Sequence, residues 1–114
     1  MGVTVIPAAT VGLKHRGGPP GEARVGRAVS TDLSPSMGAG FGEFDGCAID
    51  WTLLYDEIVY VISGAFHVTV DGHTHVAREG DAVWIPEGTR LTYGGEKARI
   101  FYAVQPGDWS ARQG

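Results

Sequence analysis

The stretch YDEIVYVISG (residues 55–64) places acidic and phenolic side chains at the start of an apolar segment that closes with a glycine. Val, Ile and Tyr are enriched in β-strands, so residues 57–62 predict a strand with at least one buried face. Glu57 lies at its first position. A carboxylate in a buried strand must find a partner, bind a cation or shift its pKa. Gly64 is expected to end this strand.

The composition predicts one globular domain over residues 1–114. A chain of this length, with 43% apolar residues and 18 glycines, can bury roughly two thirds of the surface that its unfolded form exposes. The glycine and proline breakers of residues 15–21 predict a surface loop, and residues 3–6 predict a short edge strand. We therefore expect an N-terminal arm and loop over residues 1–22 and a β-rich core over residues 23–109.

Charge and cysteine content narrow the classes of partner. The net charge is −4 and no basic patch with interleaved aromatics is present, which argues against nucleic acid or an anionic membrane as partner. No apolar run approaches the ~20 residues of a membrane span, and the first residues do not resemble a signal peptide. A cytoplasmic location is therefore expected. The single cysteine, Cys47, excludes an intramolecular disulfide and a cysteine zinc site.

The rest of the chain predicts short strands separated by turns. Asp71-Gly72 lies between two alternating runs, residues 65–70 and 73–77, and this is a strong signal for a two-residue β-hairpin. Further strands are predicted over residues 24–30, 37–44, 47–54, 82–85, 90–93 and 98–104, with Gly94-Gly95 as a break and the last strand covered on both faces. Such spacing is typical of an all-β sandwich or barrel, with the jelly roll as the natural candidate.

Two spaced motifs resemble the cupin superfamily. Glu57 followed after six residues by Gly64 resembles the second half of the first cupin motif, and Gly80 followed after five residues by Pro86-Glu87-Gly88 resembles the opening of the second. The resemblance implies a single-domain cupin β jelly roll, also called a double-stranded β-helix barrel. It also implies a metal site whose histidines precede Glu57 and follow Pro86.

The cupin histidines are absent from these positions. The first pair falls on Trp51 and Leu53, or on Asp50 and Thr52 with a spacing one longer, and the later histidine falls on Leu91. Indole and aliphatic side chains cannot replace imidazole as metal donors. No metal or other cofactor is therefore expected, apart from a divalent cation held weakly through Glu57 and water. His73 and His75 follow the hairpin turn, where solvent exposure is the ordinary outcome.

A narrower resemblance fits the missing histidines. The run WTLLYDEIVYV (residues 51–61), with Phe41 and Glu43 upstream and Pro106 and Trp109 downstream, resembles the EutQ group of ethanolamine-utilisation cupins. This resemblance implies a dimeric cupin associated with ethanolamine catabolism and its bacterial microcompartment. The group includes proteins reported to have acetate kinase activity. No Walker-type phosphate loop occurs in the sequence, so the residues themselves give phosphoryl transfer no separate support.

Several acidic and aromatic side chains could line one pocket. Two nearby carboxylates would raise the pKa of one of them, and carboxylates with aromatic rings suit a small polar or amine ligand. The candidate catalytic residues are Glu57, Tyr55 and Asp56, and the candidate substrate-binding residues are Glu43, Trp51, Leu53, Trp84, Leu91 and Tyr102, with Tyr60 as a further pocket candidate.

Structural roles are the alternative for the same residues. Asp56 could serve simply to form the bend before the strand, and the tryptophans and tyrosines could be core residues. Glu57 could pair with a buried arginine such as Arg99 or Arg24.

Two hypotheses of function follow. The first is a small-molecule enzyme that uses Glu57 as its acid/base group, and the second is a non-catalytic binding or scaffold cupin. In both, we expect a homodimer with the N-terminal arm or edge strand taking part in the contact.

Overall fold

The computed structural model describes residues 2–112. Its strands form one antiparallel network, as an all-β jelly roll requires. A 3-10 turn (Ala8–Thr10) precedes them and a one-turn helix, α1 (Trp109–Arg112), follows them. The strands are β1 (Lys14–Gly17), β2 (Glu22–Val29), β3 (Gly38–Asp45), β4 (Ile49–Thr52), β5 (Asp56–Val70), β6 (His73–Arg78), β7 (Ala82–Ile85) and β8 (Arg90–Gln105).

Two long strands divide the network into two facing sheets. The first half of β5 and the last part of β8 lie in a sheet ordered β1-β2-β3-β8-β5-β7, while the remaining parts pair in the order β4-β8-β5-β6. The side chains of the two inner faces pack between the sheets. The largest fully buried ones are Phe66, Leu53, Val59 and Val61. This architecture confirms the predicted cupin jelly roll.

Gly64 bends β5 instead of ending it. The pairing of β5 with β8 shifts register on both sides of Ser63, and Gly64 has φ +75°. A strand that gains an unpaired residue bends and twists at that point. The break expected at Gly94-Gly95 is also absent, since β8 continues through both residues. In both places the glycines let one strand pass from the first sheet to the second.

The Asp71-Gly72 hairpin is confirmed. The two residues have φ of 51° and 77°, as a type I′ turn requires. They join β5 to β6 in the register Val70↔His73.

The N-terminal segment differs from its prediction. Residues 3–6 form no strand, whereas β1 overlaps the first half of the predicted loop and pairs with β2. The final strand is also less covered than predicted, because Arg99 is exposed while its neighbours Ala98 and Ile100 are buried. No helix within residues 2–112 is long and apolar enough to cross a membrane.

Candidate functional site

A cavity of about 730 Å3 lies between the two sheets. Its inner wall is made by buried side chains of β3, β5 and β8, and its outer end is bounded by exposed side chains of β1 and β2. The cavity is lined by Gly12, Lys14, His15, Arg16, Val25, Gly26, Arg27, Phe44, Trp51, Tyr55, Glu57, Phe66, Tyr93, Ile100, Tyr102, Val104 and Trp109.

Glu57 is the carboxylate of this cavity. It points inward from β5, between Val104 of β8 and Ile85 of β7, and only 6% of the residue is exposed. The hydroxyl of Tyr93 donates a hydrogen bond of 2.6 Å to its Oε1. Burial disfavours the charged form and raises the pKa of Glu57 to about 7, against the opposing effect of the Tyr93 hydrogen bond. Glu57 therefore exchanges its proton near neutral pH.

The phenols beside Glu57 stay protonated. Burial, reinforced by the charge of Glu57, raises the pKa of Tyr55 to about 12, and the same two causes hold the pKa of Tyr93 well above its ordinary value. The indole Nε1 of Trp51 donates a 3.0 Å hydrogen bond to the Tyr55 hydroxyl. Tyr55 and Tyr93 also influence each other's pKa. The cavity thus offers neutral hydroxyl groups around one ionisable carboxylate.

Aromatic rings form the apolar wall. Phe44, Phe66 and Tyr93 contact one another with ring centroids 5.3 to 5.9 Å apart. On the other side, the Trp109 ring of α1 lies 5.8 Å from Trp51 and 5.0 Å from Tyr55. Offset and edge-on contacts of this kind hold rings in fixed positions. The wall is therefore apolar and well packed, as small-molecule sites commonly are.

Four of the candidate residues line this cavity: Glu57, Tyr55, Trp51 and Tyr102. Asp56 does not line it, because its Oδ1 accepts a 2.8 Å hydrogen bond from the backbone N–H of Glu87. That contact ties the start of β5 to the turn after β7. Asp56 therefore has a structural role, but as the first residue of β5 and not within the bend, which lies at residues 54–55.

The remaining candidates lie elsewhere. Glu43 is on the outer face of β3, where its Oε1 is 3.8 Å from Nη1 of Arg24. Leu53 and Leu91 are core residues, 1% and 3% exposed. Trp84 is 61% exposed, and neither it nor the half-exposed Tyr60 lines the cavity. The two-carboxylate pocket is thus not what the structure shows: burial, and not a second acid, raises the pKa of Glu57.

Tyr93 was not among the candidates, although it is the hydrogen-bond partner of Glu57. The arginines suggested as partners, Arg24 and Arg99, are both exposed. Leu91 and Tyr93 alternate along β8, and residues two apart on a strand share a face. The position where the cupin histidine falls, Leu91, therefore pointed to the same inner face. Phe44 and Phe66 carried no comparable signal, and Trp109 was marked only by the EutQ resemblance.

The residues around Glu57 do not fit a transition-metal site. Leu53 and Leu91 have no donor atom, the Trp51 indole is a hydrogen-bond donor to Tyr55, and the raised pKa of Tyr55 opposes phenolate ligation. Within residues 2–112, no group of three or more His, Cys, Asp or Glu side chains is placed to hold a metal ion. The weakly held divalent cation at Glu57 stays a prediction.

His15 lines the outer end of the cavity, whereas the other three histidines lie outside it. The rings of His73 and His75 are 4.6 Å apart on the exposed hairpin, and Nε2 of the half-buried His67 lies 3.8 Å from Oε1 of Glu96.

Comparison with known proteins identifies the family. A family model described as ethanolamine utilisation protein EutQ matches residues 9–111. The chain belongs to the EutQ family. Curated relatives named acetate kinase EutQ are 34% identical over 96% of this chain in Salmonella typhimurium and 38% identical over 69% of it in Clostridioides difficile. The chain spans about half the length of these relatives, 49% and 51%. EutQ and the cupin fold were both predicted from the sequence.

Solved structures agree with this assignment. The Clostridium difficile EutQ protein superposes with a TM-score of 0.75 and 34% identity, over 80% of this chain and 73% of that one. A putative ethanolamine utilisation protein from Salmonella typhimurium superposes with a TM-score of 0.74 and 27% identity, over 86% of this chain and 97% of that one. KdgF from Halomonas shares the fold. It superposes with a TM-score of 0.65 and 22% identity, over 82% of this chain and 86% of that one.

Proposed function

We propose that this EutQ-family chain binds a small polar or amine metabolite in the cavity and that Glu57 exchanges a proton with it. The supporting observation is a single carboxylate, 6% exposed, with a pKa of about 7 at the inner end of an aromatic cavity. A general acid or base works best when its pKa lies near the operating pH. Perturbed carboxylates in clefts are also enriched at functional sites.

The cavity walls support binding of such a ligand. An amine placed against Glu57 would gain ionic attraction, and the rings of Tyr102 and Trp109 offer faces for cation–π contact. A hydroxyl group could instead donate to the carboxylate or accept from the Tyr55 hydroxyl. In the ionised form Glu57 takes a proton from the ligand, and in the neutral form it returns one.

Phosphoryl transfer is the activity to assay first, because the curated relatives are named acetate kinases. In that reaction acetyl phosphate passes its phosphoryl group to a nucleoside diphosphate, which becomes the triphosphate, and acetate leaves. We propose that the chain carries out this reaction as part of ethanolamine utilisation, in the cytoplasm or in a microcompartment. The non-catalytic binding or scaffold cupin is the alternative.

Melting temperature and turnover, measured together, test this function. Ethanolamine, acetate, acetyl phosphate, ATP and divalent metals would be screened with the native chain, Glu57→Gln and Glu43→Gln. The proposal predicts that at least one compound raises the melting temperature of the native chain and of Glu43→Gln, a matched loss of a carboxylate outside the cavity, and that Glu57→Gln loses most of that rise. Stabilisation without turnover would favour the binding cupin. No shift with any compound would contradict both.

The outer face of the first sheet favours a homodimer. This face, formed by β2, β3, β8, β5 and β7, carries large apolar side chains that are exposed or half-buried: Phe41, Ile58, Tyr60, Trp84 and Phe101. Five strands about 4.8 Å apart and about six residues long give a patch of roughly 24 by 20 Å. This area of about 480 Å2 is a little more than half of the ~800 Å2 that each partner buries in a standard complex.

A second copy is the partner that the charges suit. At the edge of the patch, Arg24, Glu43 and Arg99 are aligned across β2, β3 and β8, giving alternating signs. A two-fold axis can bring opposite charges of two such rows together. This contact through the outer face of the first sheet differs from the one predicted from the sequence, which used the N-terminal arm or edge strand.

Sedimentation velocity tests the dimer. We expect the native chain to sediment as a dimer and Tyr60→Glu, which places a charge within the patch, as a monomer. Val76→Glu, an equivalent change at an exposed residue of β6 outside the patch, should remain dimeric. A native chain that stays monomeric at high concentration would contradict the proposal.

A further inference from the structure

Three basic side chains surround the outer end of the cavity: Lys14 and Arg16 from β1 and Arg27 from β2. All three are exposed, whereas Glu57 is buried at the inner end. None of the three forms an ion pair with a carboxylate of residues 2–112; the pairs that occur there involve other side chains. We call these three residues the basic mouth.

The fold directs the two β1 side chains toward the cavity. Lys14 pairs with Val25, which lines the cavity, and directly opposed residues share a face of the sheet. Between His15 and Gly17 the pairing shifts register, which leaves Arg16 as the extra residue of a bulge. Bulges re-aim side chains, and Cζ of Arg16 lies 5.2 Å from the centroid of the Trp51 ring. Arg16 is thus held over a wall of the cavity.

Arg27 is held at the same end by the backbone. Its Nη1 donates a 3.1 Å hydrogen bond to the carbonyl of Gly107. Its charge also acts on the cavity residue Tyr102, where it opposes the effect of burial on the pKa of that phenol. The register Arg27↔Gly40↔Tyr102 places both side chains on the inner face. A Cβ at position 40 would lie 2.6 Å from the Tyr102 hydroxyl, so glycine there leaves room for this arrangement.

We propose that the basic mouth binds the anionic end of the ligand, a carboxylate or phosphate group, while its amine or hydroxyl end lies beside Glu57. This rests on the function proposed above and adds the class of ligand: a small amino or hydroxy acid, or its phosphate ester. Arginine donors match carboxylate and phosphate oxygens in pairs. A simple cation would be repelled by three positive charges before it reached Glu57, whereas an anionic end is attracted there.

Matched pairs of probes isolate the anionic end. Phosphoethanolamine and ethanolamine differ only by the phosphate, and 4-aminobutyrate and butylamine differ only by the carboxylate, so the pairs also distinguish the two anions. Affinities would be measured by the fluorescence of the full chain, since Trp51 and Trp109 line the cavity. We expect at least one anionic member to bind about tenfold tighter than its partner, with an advantage that falls as salt is added.

Substitutions assign that advantage to the basic mouth. Arg27→Gln and Arg16→Gln should each remove most of the difference within a pair, and Arg16→Gln keeps the test valid if the loss of the Gly107 contact unfolds Arg27→Gln. Arg78→Gln, an exposed arginine of β6 outside the cavity, should keep it. Equal affinities within both pairs, weakened alike by Glu57→Gln, would overturn the basic mouth and leave the proposed function standing. If no probe binds, the basic mouth and its ligand class fail, and the wider screen described above decides the proposed function.

Discussion

Glu57→Gln is expected to stabilise the chain at pH 8 by about 3 kcal/mol and to remove a pH dependence that the native chain shows. The pKa of Glu57 rises from 4.5 in the unfolded chain to about 7 in the folded one. Between these values the folded state holds a proton that the unfolded state has lost, so stability falls as pH rises from about 4.5 and levels off above about 7. A shift of this size corresponds to about 3 kcal/mol.

Urea unfolding from pH 4 to pH 8 measures this effect as the difference between native and variant. Tyr93 can still donate its hydrogen bond to the amide oxygen of the substituted side chain, so the contact survives. Glu43→Gln removes an acid from the outer face, and its difference from the native chain should be small across this range. If the difference in the free energy of unfolding between the native chain and Glu57→Gln does not change from pH 4 to pH 8, burial does not raise the pKa of Glu57.

Gly64→Ala is expected to lower the free energy of unfolding by about 4 kcal/mol. Gly64 has φ +75°, which a residue with a Cβ adopts at a cost of about 1–2 kcal/mol. A Cβ there would also lie 2.7 Å from the carbonyl oxygen of Glu96 and closer still to that of Lys97. Both oxygens belong to the paired strand β8, so they cannot move aside without breaking the bend that joins the two sheets.

Gly72→Ala is the matched control for this change. Its φ is 77°, nearly the same, but a Cβ there meets nothing within 4 Å. Only the backbone cost should appear, about 1–2 kcal/mol. Thermal or urea unfolding of the two variants separates the cost of the backbone conformation from the cost of the contact between the added Cβ and β8. Equal losses would show that the close approach of β8 at Gly64 adds nothing.

The sequence predicted the strands well where one signal had one meaning. The positive-φ pair Asp71-Gly72 could only be a tight turn, and the spacing around Glu57 correctly indicated a carboxylate inside the barrel. Glycine elsewhere was ambiguous. At Gly64 and at Gly94-Gly95 it permits bending within a continuous strand, and the sequence alone does not distinguish a bend from an end.

The site was harder to predict because alternation shows which residues share a face, not which face is inside. Phe41 and Glu43 do lie together on β3, but on its outer side, while Gly38, Gly40 and Gly42 form the inner one. The inner face of β3 carries glycines, which leave space for Tyr102 and Arg27. Tyr93 and Trp109 reach Glu57 and Tyr55 only through the closed barrel.

Titration of the Glu57 side chain by carboxyl carbon NMR, with the resonance assigned by its absence in Glu57→Gln, tests the central claim most directly. The predicted midpoint is about 7 in the native chain. In Tyr93→Phe it should be higher, because the Tyr93 hydrogen bond favours the ionised carboxylate. Tyr60→Phe, at a half-exposed tyrosine outside the cavity, should leave it unchanged. A native midpoint near 4.5, the ordinary value for the group, would contradict a buried acid/base group in this cavity.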